Sequence, residues 1–173
     1  MNDPYRKVLP TAYYLSMTEN EKLITAFYDS FRKGDYKGMQ KLYSEEAVFS
    51  DPVFRNLSAA EVRALWEMLI KRGKDLYVTF GMAKSVGEEV TVEWQATYTF
   101  SQTRRKVINR VHAIFKFEDG KIVSHTDRFS FHRWAHQAFG VTGLLLGWTG
   151  FFKSKVRRSA RRSLDLFMQR GPL

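Results

Sequence analysis

Three successive stretches of period-two alternation, the last running from Ile122 to Phe131, constrain this chain more than any other feature. Val92, Trp94, Ala96, Tyr98 and Phe100 alternate with Glu93, Gln95, Thr97 and Thr99. Asn109, Val111, Ala113, Phe115 and Phe117 alternate with Ile108, Arg110, His112, Ile114 and Lys116. In the third stretch Val123, His125, Asp127, Phe129 and Phe131 share one face, against Ser124, Thr126, Arg128 and Ser130. Side chains on a strand point to opposite faces in turn, so each stretch predicts a strand with one apolar side. Asp119-Gly120 supplies a tight hairpin turn between the last two. Such a meander must be covered on its apolar face.

The cover is predicted by the residues that come first. Thr18-x-x-Glu21 is a capping box, and it opens a helix through about Lys33 with Leu23, Ile24, Phe27, Tyr28 and Phe31 as its stripe. Gly34 ends that helix, and Asp35 caps a second, short one to about Tyr43. Ala47 to Ser50 is expected as a short strand stopped at Asp51-Pro52. Ser58-x-x-Glu61 begins a third helix that Gly73 closes. Four strands are then expected at roughly 75–85, 89–102, 106–118 and 121–132. The pattern is α+β: a half-open cone made of a curved, mostly antiparallel sheet with three N-terminal helices. Residues 1–132 form the ligand-binding domain, with 1–17 as an N-terminal arm. Residues 133–173 form a helical extension packing on the same domain.

The chain has 173 residues, 44% of them hydrophobic, enough for one domain with a substantial core. Fourteen Phe, eight Tyr and four Trp suit an interior that lines a cavity. The absence of Cys excludes disulfides and thiolate metal sites and permits a reducing compartment. Met1 to Glu21 has no apolar run of the kind a secretory signal needs, so a cytoplasmic location is expected. The longest apolar stretch, Val141 to Phe152, is too short to span a bilayer.

Asp127 carries the chemical interest, because it puts a carboxylate on an apolar face between aromatics. Lost hydration raises the pKa of a buried carboxyl, making it able to exchange protons near neutrality. Either Asp127 has a buried hydrogen-bonding partner or it works at the floor of a pocket. His125, two residues away on the same face, is placed to orient or protonate it. Asp51 is a second carboxylate, serving either as a turn residue capping backbone N–H groups ahead of Pro52 or as a pocket base. Asn109 and Tyr98 offer hydrogen bonds to a ligand. Tyr28, Phe31, Trp94, Val111 and Phe129 are core residues or pocket walls. No cofactor is expected and no metal, since His132 is expected to end a strand and His136 to start a helix, with no carboxylate beside them.

Phe27 to Gly34-Asp35, the run Ala47-Val48-Phe49-Ser50-Asp51-Pro52, and Phe115 to Ile122 leading into Asp127 resemble the superfamily of nuclear-transport-factor-like cones. That superfamily includes ketosteroid isomerases, limonene epoxide hydrolases and SnoaL-type polyketide cyclases. The resemblance covers about residues 18–132 and implies the cone fold more strongly than any one reaction. It sets Asp51 at the isomerase general base. Phe27, however, stands at the position of the donor Tyr, and Val111 or Ala113 at that of the donor Asp. Asp127 matches the last-strand Asp of the epoxide hydrolases, whose Arg and other Asp fall on Trp94 and Ala96, residues unable to fix the pair. SnoaL-type cyclases are nearer, with Asp127 in the role of their last-strand acid/base. The expected function is binding of a small, largely apolar molecule, with cofactor-free proton transfer such as isomerisation, cyclisation or dehydration. The alternative is a non-catalytic or membrane-surface scaffold on the same fold. A homodimer is the expected assembly.

The net charge of +10 is concentrated at the C-terminal end, where residues 133–173 hold eight Lys and Arg against a single acid. From Phe152 through Val156, Ala160, Leu164, Phe167 and Met168, apolar residues recur at helical spacing between rows of Lys and Arg, which makes a basic amphipathic helix. Its stripe closes the cone, together with the apolar stretch from Leu144 to Leu146, or else residues 151–170 meet an anionic membrane surface. Nucleic acid is not the expected partner, because no aromatic stacking platform accompanies the charge. Gly143-x-x-x-Gly147 resembles a helix-packing motif.

Overall fold

A computed structural model describes residues 16–170; almost all of the expected N-terminal arm, 1–17, lies outside them. Helix α1 (Glu19–Lys33) starts at the Thr18–Glu21 capping box and ends at Gly34, whose φ of 72° is left-handed. Asp35 caps α2 (Tyr36–Gln40), and the Ser58–Glu61 box caps α3 (Ala59–Arg72). Between them lies β1 (Tyr43–Ser50). It begins four residues earlier than the expected Ala47, because Tyr43 leaves the helix to pair with Ile122.

The remaining strands are β2 (Tyr77–Phe80), β3 (Lys84–Val86), β4 (Glu89–Phe100), β5 (Arg105–Glu118) and β6 (Lys121–Arg128). The single strand expected over 75–85 is thus two, interrupted at Gly81 to Ala83. They form one curved six-stranded sheet in the order β1-β6-β5-β4-β2, with β3 also on β4. Pairing is antiparallel except between β1 and β6, where Phe49 lies beside His125 and Ser50 beside Thr126 in parallel. The sheet is α+β and cone-shaped, with α1 and α3 supplying the apolar fill: Phe27, Tyr28, Val62, Leu65 and Trp66 are all buried.

β6 ends at Arg128, short of the expected 132. Ser130 accepts a hydrogen bond from the Arg133 N–H and caps α4 (Phe131–Phe139), so Phe131 belongs to a helix. His132 and His136 therefore sit one turn apart on α4, rather than on a strand and a helix. α4 builds a second apolar cluster with Val107, Phe131, Trp134 and Phe152. After α5 (Val141–Leu146) comes α6 (Gly150–Gln169), which bridges both clusters through Phe152 and the fully buried Leu164. Arg161 pairs with Glu61 of α3, and Arg72 donates to Ser163 Oγ at 2.7 Å. The inner stripe of α6 thus packs on the body of the cone. Leu144, Leu145 and Leu146 remain exposed, contrary to the expectation that they share a dry surface with it.

Candidate active site

The parallel β1–β6 pairing positions the carboxyls. Phe49 is level with His125 and Ser50 with Thr126, so one residue further on Asp51 stands beside Asp127. Neighbouring strands are about 4.8 Å apart, and the two side chains leave the same face. They lie at a cleft of about 270 Å³, lined by Ser50 to Pro52 and Thr126 to Phe129. A wider groove of about 830 Å³ lies elsewhere, lined by Lys37, Lys41, Arg63 and Lys121 together with Glu45, Glu46, Glu118 and Asp119. Its charges are balanced and it contains neither Asp51 nor Asp127, so it does not belong to this chemistry.

Asp127 is 4% exposed and His125 fully buried. Trp66 Nε1–H donates to the Tyr43 hydroxyl at 2.9 Å, and that hydroxyl lies 2.7 Å from His125 Nδ1. The assignment that gives every proton an acceptor has the Tyr43 O–H donating to Nδ1 and the His125 Nε2–H donating to Asp127 Oδ1 at 3.1 Å. Trp94 Nε1–H reaches the same oxygen at 3.3 Å. Asp127 Oδ2 has no hydrogen-bonding partner among the described residues. One oxygen of Asp127 is thus paired inside the core, by His125 and Trp94, and the residue also lines the cleft.

Asp51 caps the local turn and also lines the cleft. Its Oδ1 accepts from the Val53 N–H at 2.6 Å and from the Phe54 N–H, which is the local turn cap ahead of Pro52. Burial pushes its carboxyl up to about 7. The two backbone N–H groups and the Arg157 guanidinium oppose this rise, and the Asp127 charge adds to it. Arg157 reaches the turn from α6, donating Nε–H to the Pro52 carbonyl at 3.0 Å. Asp51 is thereby poised to gain and lose a proton near neutrality.

The expected ligand residues separate into groups. Tyr28 is fully buried, stacked on Phe80 and tilted against Trp94, and its hydroxyl has no partner among the described residues. Burial holds that phenol well above its ordinary pKa, and the Asp127 charge adds to the rise. Phe31 packs edge-on to Trp66 and Trp94 in the core. Tyr98 accepts from Trp134 Nε1–H at 2.9 Å and feels the Asp51 charge. Phe129 lines the cleft. Val111 is buried behind Trp94, its cross-strand partner. Asn109 lies four residues along β5 from Ala113, which is opposite Asp127, and so is roughly 13 Å away. Of the expected ligand residues only Phe129 lines the cleft; Tyr28, Phe31, Trp94, Tyr98, Asn109 and Val111 do not. Tyr43, Trp66 and Arg157 are the residues the sequence did not single out. Only long-range pairing brings them here, and no local motif marks them. Among the described residues, no group of three His, Asp or Glu side chains could hold a metal ion.

Comparison with known proteins agrees with this fold. IdmH of Streptomyces antibioticus, a candidate polyketide cyclase, is 19% identical with a TM-score of 0.59, over 72% of this chain and 100% of its own. An epoxide hydrolase of M. tuberculosis resembling the limonene enzymes is 18% identical with a TM-score of 0.56, over 78% of this chain and 95% of its own. A protein of Catenulispora acidiphila with a ketosteroid isomerase-like fold, in complex with trimethylamine, is 13% identical with a TM-score of 0.59, over 68% and 92%. At these identities the likeness is one of fold. No curated protein matches the chain in sequence. The model of the SnoaL-like domain matches residues 24–125, from the middle of α1 to the His125 that holds Asp127. With more than half its length in that match, the chain belongs to the SnoaL-like domain family.

Proposed function

We propose that this protein binds a small, largely apolar molecule in the cleft and moves a proton on it without a cofactor. Asp51 is the acid/base, taking a proton from one atom of the substrate and returning it to another. Asp127 is the fixed carboxylate beside it, oriented by His125 and Trp94. The observation that carries this reading is the pair of adjacent carboxyls at one cleft, with Asp51 held at about 7. A base of that pKa is half-ionised at neutral pH, where proton transfer in both directions is efficient. Isomerisation, cyclisation and dehydration all need such a group.

A second reading, binding without catalysis, is favoured by the size of the cleft. Its volume of about 270 Å³ falls below the usual range of roughly 300–1,000 Å³. Native mass spectrometry of the purified protein in D2O separates the two. A copurified molecule should take up solvent deuterium on the wild type and fail to do so on Asp51→Asn. Equal uptake on both proteins contradicts the proposal. A molecule retained without any uptake leaves the binding reading standing.

A further inference from the structure

Residues 141–151 turn their apolar side chains outward. α5 and its C-cap lay their glycines toward α4: a Cβ at Gly143 would collide with the Ala135 carbonyl, and one at Gly147 would collide with the Gly143 carbonyl oxygen and come within 3.0 Å of the Ala135 Cβ. This seam accepts no side chain, which explains the Gly143-x-x-x-Gly147 spacing. Val141, Leu145 and Trp148 recur at i, i+4 and i+7 on the opposite side and are 70%, 62% and 70% exposed. Leu144 and Leu146 flank them in solvent, and Phe151 follows at 79% exposed. Scattered surface hydrophobics are ordinary, but six within eleven residues form a contiguous patch of the kind that marks an interface.

The charge around the patch says what covers it. Phe151, Lys155, Arg158 and Arg162 fall at i, i+4, i+7 and i+11, one exposed row along the outside of α6. Lys155, Arg158 and Arg162 have no partner among the described residues. Residues 128–164 contain eight Lys and Arg and no Asp or Glu. The stripe of α6 that the sequence offers to lipid, including Phe152 and Leu164, packs on the body instead. Any surface contact therefore falls to α5 and the first turn of α6.

We propose that residues 141–151 seat in the interfacial layer of an anionic phospholipid bilayer while Lys155, Arg158 and Arg162 meet its headgroups. An exposed Trp among leucines, followed by a row of unpaired cations, combines the two signals that peripheral attachment requires. The same charge disfavours a second copy of the chain, since a two-fold contact would set this basic surface against itself. The attachment is peripheral, because no helix among the described residues is long and apolar enough to cross a membrane.

Cosedimentation of the full chain with phosphatidylcholine vesicles, with and without phosphatidylglycerol, tests the proposal. The wild type should bind the anionic vesicles at least about tenfold tighter, given roughly a fivefold gain per cation at the surface, and should release in high salt. Leu145→Glu/Phe151→Glu should lose about tenfold or more with an unchanged melting temperature, both positions being exposed. Lys155→Glu/Arg158→Glu/Arg162→Glu should abolish the preference for phosphatidylglycerol. Three results would overturn it: no binding to anionic vesicles at low salt, wild-type binding by Leu145→Glu/Phe151→Glu, or a dimer that this double substitution dissolves while vesicles go unbound. The last would give the patch to a second copy.

Discussion

Polar groups beside the β1–β6 seam run in one series from Trp66 through Tyr43 and His125 to Asp127 and Asp51, and the fold treats the two ends of that series differently. At one end Tyr43, Trp66 and His125 sit among aromatic rings, with the Phe115 and Phe49 ring centres 4.0 Å and 4.9 Å from that of the imidazole. Every polar hydrogen there has an acceptor. At the other end Asp51 and Asp127 each spend one oxygen on the protein and keep the other without a partner among the described residues. A satisfied network in low-dielectric surroundings fixes geometry, whereas an unspent carboxyl oxygen can take a proton from something else. Depth of burial is therefore a poor guide to chemistry here. His125 is the more deeply buried group but has no capacity left, and the shallower Asp51 has both capacity and a raised pKa.

The largest effect should come from breaking the closed end. His125→Ala removes a ring packed among aromatics and strands the Tyr43 proton and Asp127 Oδ1, which should cost roughly 3–5 kcal/mol in denaturant unfolding. A loss below about 1 kcal/mol would show that the closed end does not hold the seam.

The open end should respond in the opposite sense. The folded pKa of Asp51, about 7, lies above its ordinary 3.8, so the folded state holds this proton more tightly than the unfolded state. Its contribution to stability is full below about 4 and is lost as pH rises through about 7. Asp51→Asn should flatten that fall and leave the variant more stable than wild type at pH above 7, by roughly 2–4 kcal/mol. Parallel unfolding curves for the two proteins from acid to alkaline pH would refute the assignment.

The smallest effect should be at Tyr28. Its hydroxyl has no partner among the described residues, so Tyr28→Phe should change stability by less than about 1 kcal/mol. A large loss of stability instead would mean that the hydroxyl serves the closed end.

Much of this contrast was legible in residues 18–131, for local reasons. Two capping boxes, the left-handed Gly34 and the Asp119-Gly120 hairpin each specify structure within a few residues. Period two alone put His125 and Asp127 on one face. The parallel partner of that face was not legible, because the β1–β6 register joins residues more than seventy apart and leaves no local mark. The Tyr43 and Trp66 bonds and the meeting of Asp51 with Asp127 depend on that register. The end of β6 was misplaced because Phe129 and Phe131 continue the alternation, while Ser130 caps a helix that period two does not reveal. The outward leucines of α5 were read as core because apolar character shows in a sequence, whereas the glycine seam that turns them outward shows only in the packing.

The central claim is that Asp51 holds a proton near neutrality beside a fixed carboxylate, and a direct titration tests it. Carbon-13 NMR of the Asp51 carboxyl should give a midpoint near 7 in the wild type, and a lower one in Asp127→Asn, where the neighbouring negative charge is gone. A wild-type midpoint close to 3.8, or one that Asp127→Asn does not move, would contradict the account.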